Sequence, residues 1–204
     1  MPSSKALVIG HRGASALRPE HTLAAYAKAI EDGADLIEPD LVSTRDGVLI
    51  ARHENEISGT TDVAQRPEFI SRKVTKIIDG EPVTGWFTED FSLTELKTLR
   101  ARERLPELRS TAFDGQFEIA TLDEIIALAA EASAEHERVI GLAPEIKHPS
   151  HFAALGLAME NKLLAALRSH PHTRAAPVII QSFEIANLQE LRGRIGSDSN
   201  TIVD

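Results

Sequence analysis

Residues 6–54 read ALVIGHRGASALRPEHTLAAYAKAIEDGADLIEPDLVSTRDGVLIARHE, and the order of features in this stretch decides the fold. Residues 6–10 form a short apolar run closed by glycine, which indicates a buried strand. Thr22 then offers a helix N-cap, apolar residues recur at helical spacing, and Gly33 supplies a stop. A second apolar run follows at 35–42. This succession of strand, helix and strand predicts an α/β protein with a parallel sheet.

Residues 54–115 interrupt this pattern after a third apolar run. The segment is polar, rich in glycine, threonine and charged residues, and holds the only tryptophan, Trp86. One helix is predicted within it, at 93–101, where Ser92 and Glu95 form a possible capping box. We therefore expect 54–115 to be a long insertion on one face of the domain.

The alternation of helices and strands resumes after residue 115. The predicted helices cover 122–132, 154–168 and 184–192, and the predicted strands cover 139–146, 178–181 and 201–203. Thr121 and Glu124 form a second possible capping box at the start of the helix at 122–132. With the runs at 6–10, 35–42 and 48–53, this makes about six strands, whereas a closed (β/α) barrel has eight. We therefore expect residues 1–204 to form an incomplete barrel, truncated after about six strands.

The composition excludes several classes of protein. The chain has 204 residues, 42% of them hydrophobic, and no cysteine, so its core forms without disulfides or a thiolate zinc site. A formal net charge of -9 argues against general nucleic-acid binding, which needs a basic face. No apolar run approaches the roughly 20 residues of a membrane-spanning helix. Residues 1–5 carry no signal-peptide pattern.

Two acidic residues, Glu38 and Asp40, end the second predicted strand. Because side chains alternate along a strand, they share one face, while Ile37 and Leu41 share the other and would pack against helices. Two like charges on one buried face are costly unless a cation lies between them. An exposed edge strand is the alternative, and Pro39 favours it because proline cannot donate to a ladder.

Glu145 and Lys147 repeat this spacing at the end of the fourth predicted strand. As an isolated pair, they fit a solvated strand end. Combined with Glu38 and Asp40, however, Glu145 completes an all-oxygen set of ligands that suits Mg²⁺ or Ca²⁺ better than zinc.

His53 ends the third apolar run. If Asp46 and Gly47 form a two-residue hairpin turn, Asp40 lies directly opposite His53. If the two strands are instead parallel neighbours in a barrel, both residues still end at the same rim. Either geometry predicts an imidazole beside the carboxylates.

A second histidine, His11, follows the first strand and is followed by Arg12 and Gly13. A histidine near a strand end is often only a hydrogen-bonded core residue. The adjacent arginine favours a functional interpretation, because its planar guanidinium is a common clamp for phosphate oxygens. Gly13 allows a sharp turn of the backbone at this point.

These residues, in this order, closely resemble the start of glycerophosphodiester phosphodiesterases, a family with a (β/α)8 TIM-type barrel related to phosphatidylinositol-specific phospholipase C. The resemblance covers most of residues 6–184. Its motifs are HRG at 11–13, Pro-Glu-x-Thr at 19–22, E-x-D at 38–40, T-x-D-G at 44–47 with the histidine after it, PEIKHP at 144–149 and QSFE at 181–184.

The resemblance implies metal-dependent hydrolysis of glycerophosphodiesters to sn-glycerol 3-phosphate and an alcohol such as choline or ethanolamine. It implies one divalent cation, Ca²⁺ or Mg²⁺, and a two-histidine acid–base mechanism. The implied residues are Glu38, Asp40 and Glu145 for the metal, His11 and His53 for acid–base catalysis, and Arg12 and Lys147 for the phosphate.

The resemblance also implies supporting roles. Glu20 of the Pro-Glu motif would orient the His11 loop, and His21 stands where many members have asparagine. The insertion at 54–115 would lie over the barrel mouth and shape the glycerol site. Together with GTTDVA at 59–64, it resembles the periplasmic branch, which often uses Ca²⁺.

Three alternatives to this activity stay open. A related barrel that acts on inositol or sphingomyelin lipids shares the carboxylates and the two histidines. A metal- or ligand-binding module would bind a cation without forming product, and a purely structural fragment would do neither. The leaving alcohol, the preferred cation and the oligomeric state are not specified by the sequence.

Overall fold

The computed structural model describes residues 6–196 and 201–203, so residues 1–5, where a signal-peptide pattern was sought, lie outside the described part. The strands are β1 (Ile9–His11), β2 (Leu36–Glu38), β3 (Asp40–Ser43), β4 (Leu49–Ala51), β5 (Val74–Ile78), β6 (Glu81–Gly85), β7 (Gly141–Leu142), β8 (Glu145–Ile146), β9 (Val178–Ser182) and β10 (Thr201–Val203). The helices are α1 (Leu23–Glu31), α2 (Leu93–Leu96), α3 (Leu122–Glu135), α4 (Pro149–Ala154), α5 (Glu160–Ser169) and α6 (Ile185–Ile195).

The main sheet is parallel and follows the order of the chain. β1 pairs with β2, β2 with β7, β3 with β8, both β7 and β8 with β9, and β9 with β10, all in parallel. Segments β2 and β3 are two halves of one strand path, and β7 and β8 are halves of the next. Within the described residues, the main sheet therefore has five parallel strand positions and one antiparallel strand, β4, which agrees with the predicted count of about six, while β5 and β6 pair in a separate antiparallel hairpin.

The interruption between β2 and β3 is Pro39. Its carbonyl accepts a hydrogen bond from the Glu145 amide at 2.9 Å, so the strand keeps a neighbour even where proline has no N–H to donate. Glu38 and Asp40, on either side of it, are buried. The exposed edge strand considered as an alternative for these two carboxylates is therefore wrong.

The β3–β4 hairpin has a different register from the one predicted. Leu41 pairs with Ala51, which places Arg52, and not His53, opposite Asp40. The turn contains three residues instead of two, because the Thr44 amide donates to the Val48 carbonyl at 3.0 Å. The strands are also antiparallel, so the parallel alternative is wrong.

The first strand is less buried than predicted. Among the described residues β1 pairs with β2 alone, and Leu7, Val8 and Ile9 are exposed. The apolar character of this run therefore does not reflect burial in the part of the chain that the structure describes.

Side-chain caps set the starts of three helices as predicted. Thr22 Oγ1 accepts from the Ala25 amide at the start of α1, and capping boxes open α2 and α3. Helix α2, which was predicted at 93–101 within the insertion, nevertheless covers only Leu93–Leu96. Residues 100 and 101, predicted as the end of this helix, are not helical, because the Arg100 amide donates to Asp62 and Ala101 forms a β-bridge with Thr61.

The helix predicted at 154–168 is interrupted near its start: α4 ends at Ala154, and α5 begins at Glu160. Gly156 lies between them with a φ of 73°, which a right-handed helix does not accommodate. The Leu157 amide then donates back to the Phe152 carbonyl at 2.8 Å and closes the turn. Residues 148–151 follow β8 directly, so they lie at the end of the sheet that carries Glu145.

The core lies between the sheet and its helices. Ile37 and Leu41, the predicted helix-facing residues of the second strand, are fully buried in it. Helices α1 and α3 contribute other members of the core, among them Tyr26, Ile30, Ile125, Ile126 and Ala129. No helix in residues 6–196 or 201–203 has the length and apolar character needed to cross a lipid bilayer.

Candidate active site

The three predicted metal ligands converge at the carboxyl ends of neighbouring strands. The parallel register sets Asp40 beside Glu145, and it sets His11 beside Glu38. One carboxylate oxygen from each of Glu38, Asp40 and Glu145 lies within 4.8 Å of the other two. All three residues are buried, with Asp40 completely inaccessible to solvent.

The three carboxyl groups do not ionise independently. Burial, together with the neighbouring Asp40 carboxylate, raises the pKa of Glu38 to about 8, and burial also raises the pKa of Glu145. Burial alone would raise the pKa of Asp40 as well. A hydrogen bond from His21 and the charge of Lys147 outweigh it, so the pKa of Asp40 lies well below its usual range. A cation between these groups would relieve the repulsion.

The donor set fits a hard divalent cation. Asp40 Oδ1 is buried and, among the described residues, has no hydrogen-bond donor. The Lys147 ammonium lies 3.3 Å from that oxygen and 2.6 Å from Glu145 Oε1, where it partly neutralises the cluster. Carboxylate oxygens without thiolate or imidazole donors are the ligands that Mg²⁺ and Ca²⁺ prefer.

Arg12 lies in the turn after β1 and closes one side of the cluster. Its amide donates to Glu38 Oε2 at 2.8 Å, which orients that carboxylate. Its guanidinium lies 3.3 Å from Asp40 and 3.4 Å from Glu20, so a phosphate would have to share it with these carboxylates. Gly13 has a φ of 79°, and a Cβ there would lie only 2.6 Å from the Ala25 backbone.

The two predicted acid–base histidines lie at the same rim. His11 lies on β1 with much of its side chain exposed, and partial desolvation of its ring, followed by the charge of Arg12, lowers its pKa. The register of β1 and β2 sets His11 beside Glu38, and the cavity that His11 lines is not the one that His53 lines. His53 lines a cavity of about 430 Å³ together with Glu145 and Lys147.

Two buried residues next to the carboxylate cluster, His21 and Glu20, make contacts that the sequence did not predict. His21 is fully buried, and its Nε2 lies 2.9 Å from Asp40 Oδ2 while Tyr26 Oη lies 2.7 Å from its Nδ1. Glu20, expected to orient the His11 loop, pairs with Arg12 and with Arg104. The burial of His21 could have been inferred only from its place next to the Thr22 helix cap.

The cavity also contains residues that the sequence analysis did not assign to the site. Glu54, Asp79 and Glu184 line its wall next to His148, and the exposed ring of Phe183 lies 5.3 Å from the Lys147 ammonium. Asp79 comes from the turn between β5 and β6, so the insertion reaches the rim. The one signal for Glu54 was its position directly after His53.

Comparison with known proteins identifies one family. The sequence profile of the glycerophosphoryl diester phosphodiesterase family matches residues 11–198. A glycerophosphodiester phosphodiesterase of Arabidopsis thaliana, GDPD6, is 38% identical over the whole chain, and one from Haemophilus influenzae is 28% identical over 94% of it. The chain spans only 57% and 53% of these two relatives, little more than half of each.

Solved structures agree with this result. A glycerophosphodiester phosphodiesterase from Agrobacterium tumefaciens superposes with a TM-score of 0.61 at 25% identity, over 93% of this chain and 63% of that one. An Oleispira antarctica phosphodiesterase, solved with the product sn-glycerol-3-phosphate, gives a TM-score of 0.66 at 24% identity, over 92% and 62% of the two chains. The predicted TIM-type barrel fold is thereby confirmed.

Proposed function

Because the chain belongs to the glycerophosphoryl diester phosphodiesterase family, we propose that its rim catalyses metal-dependent hydrolysis of glycerophosphodiesters to sn-glycerol 3-phosphate and an alcohol. The observation that carries this proposal is the convergence of Glu38, Asp40 and Glu145 on one point, with His11 paired to Glu38 and with His53 in the cavity that Glu145 lines. The Oleispira antarctica protein with its bound product supports the substrate class.

Glu38, Asp40 and Glu145 would hold one divalent cation, Ca²⁺ or Mg²⁺. When bound, the cation neutralises charge that develops on the non-bridging phosphate oxygens. Lys147, whose ammonium ion-pairs with Glu145 and Asp40, would provide one positive charge at the phosphate. Arg12 would provide a second positive charge at the phosphate, next to Glu20.

His11 and His53 would transfer the protons. One imidazole accepts the proton of the attacking hydroxyl, from water or from the glycerol 2-hydroxyl, as the new oxygen–phosphorus bond forms. The other imidazolium protonates the departing alcohol oxygen as its bond to phosphorus breaks. Imidazole suits both roles because its unperturbed pKa is about 6.5, close to neutral pH.

The insertion would shape the part of the site that receives the rest of the substrate. The turn between β5 and β6 brings Asp79 into the wall of the cavity that Phe183 also lines. Residues 54–115 would accordingly act as one unit over the mouth of an incomplete barrel.

The direct test is hydrolysis of glycerophosphocholine by the chain with Ca²⁺ or Mg²⁺, followed as release of sn-glycerol 3-phosphate. We expect His11→Ala and His53→Ala each to reduce turnover by at least about a hundredfold, because each removes a proton-transfer group. Cation affinity should change little in either variant. His136→Ala, an exposed histidine at the end of α3, is the matched control.

The same experiment separates the alternatives. Turnover of inositol or sphingomyelin lipids with none of glycerophosphocholine would indicate a related phosphodiesterase. A chain that binds the cation but forms no product would be a binding module, an outcome made relevant by its matching little more than half of its relatives. A double variant of His11 and His53 with wild-type turnover would contradict the proposed mechanism.

A further inference from the structure

Glu54 lies between two histidines at the rim. Its Oε1 is 2.6 Å from His53 Nδ1, and its Oε2 is 3.3 Å from His148 Nε2. Both oxygens of one carboxylate are thus engaged by imidazoles, one of which belongs to the proposed catalytic pair. The side chain is half exposed, so this arrangement is not a consequence of close packing in the core.

An ionised carboxylate only accepts hydrogen bonds, so His53 must donate from Nδ1. Its Nε2 is then the nitrogen available to a substrate in the cavity. We propose that Glu54 is a positioning residue, which fixes the His53 ring with its proton on Nδ1 and presents Nε2 to the reacting phosphodiester. This assignment rests on the proposed function for the role of His53, but the orientation of the ring can be measured without it.

His148 holds Glu54 in this position. Its Nε2 faces Glu54 and its Nδ1 lies 3.1 Å from Asp79 Oδ2, so only an imidazolium, with a proton on each nitrogen, donates to both carboxylates. The hydrogen bond from Glu54 raises the pKa of His148, and the hydrogen bonds from His148 and His53 keep the pKa of Glu54 well below its usual range. Glu54 therefore remains ionised at neutral pH.

The contacts form a continuous path from the insertion to the reacting group. Asp79 lies in the turn of the β5–β6 hairpin, and the path then runs through His148 and Glu54 to the His53 ring. Through these contacts the insertion would help to keep the imidazole in place, in addition to covering the mouth. In metal sites, a partner that orients a histidine in this way typically changes affinity or activity by one or two orders of magnitude, and we expect an effect of that size here.

The first test is the tautomer of His53, read from the ring nitrogens by ¹H–¹⁵N NMR. We expect the wild-type chain to carry the proton on Nδ1. Glu54→Ala removes the acceptor and should transfer the proton to Nε2, whereas Glu54→Gln keeps an acceptor oxygen and should retain it on Nδ1. Nε2–H in the wild-type chain, or Nδ1–H in Glu54→Ala, would overturn the proposal.

Glu184→Ala is the matched control for this experiment. Glu184 lines the same cavity, but its carboxylate accepts from Ser150 and is not within hydrogen-bonding distance of His53. Its removal deletes the same charge from the same wall and should leave the His53 tautomer unchanged. A tautomer shift of equal size in Glu184→Ala would assign the effect to the general charge of the cavity and overturn the role of Glu54.

The second test is kinetic and uses glycerophosphocholine with saturating Ca²⁺ or Mg²⁺. We expect Glu54→Ala to lower kcat by about tenfold to a hundredfold with KM within about twofold, and Glu54→Gln to recover part of that loss. A Glu54→Ala variant with wild-type kcat would overturn the catalytic relevance of the ring orientation. A wild-type chain without turnover would reject the proposed function, while the NMR result would still decide the positioning by Glu54.

Discussion

His21 connects the metal-ligand cluster to the core through its two ring nitrogens. Burial lowers its pKa, so the imidazole is neutral and carries a single proton. With Nε2 donating to Asp40, the Tyr26 hydroxyl donates to Nδ1. This tautomer orients the Asp40 carboxylate through Oδ2 and leaves Oδ1 directed towards Lys147 and the proposed cation.

Truncation of His21 should therefore lower the free energy of unfolding. His21→Ala leaves a buried carboxylate and a buried hydroxyl without their partner, and we expect a loss of about 2–4 kcal/mol in the free energy of unfolding. Urea denaturation monitored by circular dichroism measures it, with exposed His136→Ala as the control. A loss below about 0.5 kcal/mol would show that the His21 contacts do not contribute to stability.

The proton on His148 predicts a dependence of stability on pH. Its pKa is raised above that of the unfolded chain by Glu54, so its contribution is fully present below pH about 6.5 and is lost as the pH rises through the folded pKa. The difference in free energy of unfolding between wild type and His148→Gln should accordingly be larger at pH 5.5 than at pH 9. An equal difference at both values would contradict the ion pairs with Glu54 and Asp79.

At the scale of elements, the buried carboxylate of Glu89 connects the β5–β6 hairpin to the barrel. Glu89 Oε1 lies 2.9 Å from Lys76 Nζ on β5 and 3.0 Å from His151 Nε2 on α4. Asn55, two residues after His53, donates to the same carboxylate at 3.2 Å. One side chain thus joins the insertion, the rim and a barrel helix.

Removal of Glu89 should loosen the hairpin before the rest of the domain. We expect Glu89→Ala to lower the free energy of unfolding by about 2–3 kcal/mol, because a buried acceptor for three donors is lost. Hydrogen exchange should show earlier loss of protection in β5 and β6 than in β9. Glu81→Ala, an exposed acid on the same hairpin, is the control, and equal protection in the two variants would contradict the anchoring role.

Local signals predicted the starts of elements better than their ends. The caps at Thr22, Ser92 and Thr121 act within one turn of helix, so the sequence reveals them directly. The early end of α2 depends on Asp62, which is distant in sequence. The error in hairpin register has a similar cause, since the Thr44 side chain accepts from the Val48 amide at 2.9 Å and supports a longer turn.

At the scale of the whole molecule, strand order explains why the rim could be predicted. Parallel strands in chain order bring their carboxyl ends to one side, so Glu38, Asp40 and Glu145 had to meet wherever their strands became neighbours. The outer contacts of the rim could not be predicted in the same way. Glu54 meets His148 across 94 positions of sequence, and nothing in the local sequence of either residue indicates this contact.

The central claim is that this rim binds one divalent cation, and calorimetric titration of the chain with Ca²⁺ and Mg²⁺ at pH 7 tests it most directly. Because the pKa of Glu38 is about 8 without a cation, binding should release about one proton, detectable as a dependence of the heat on the buffer.

We expect a stoichiometry of one in the wild-type chain, loss of binding in Glu145→Gln, and unchanged binding in Glu184→Gln. No binding of either cation at millimolar concentration, or equal binding in Glu145→Gln, would contradict the account.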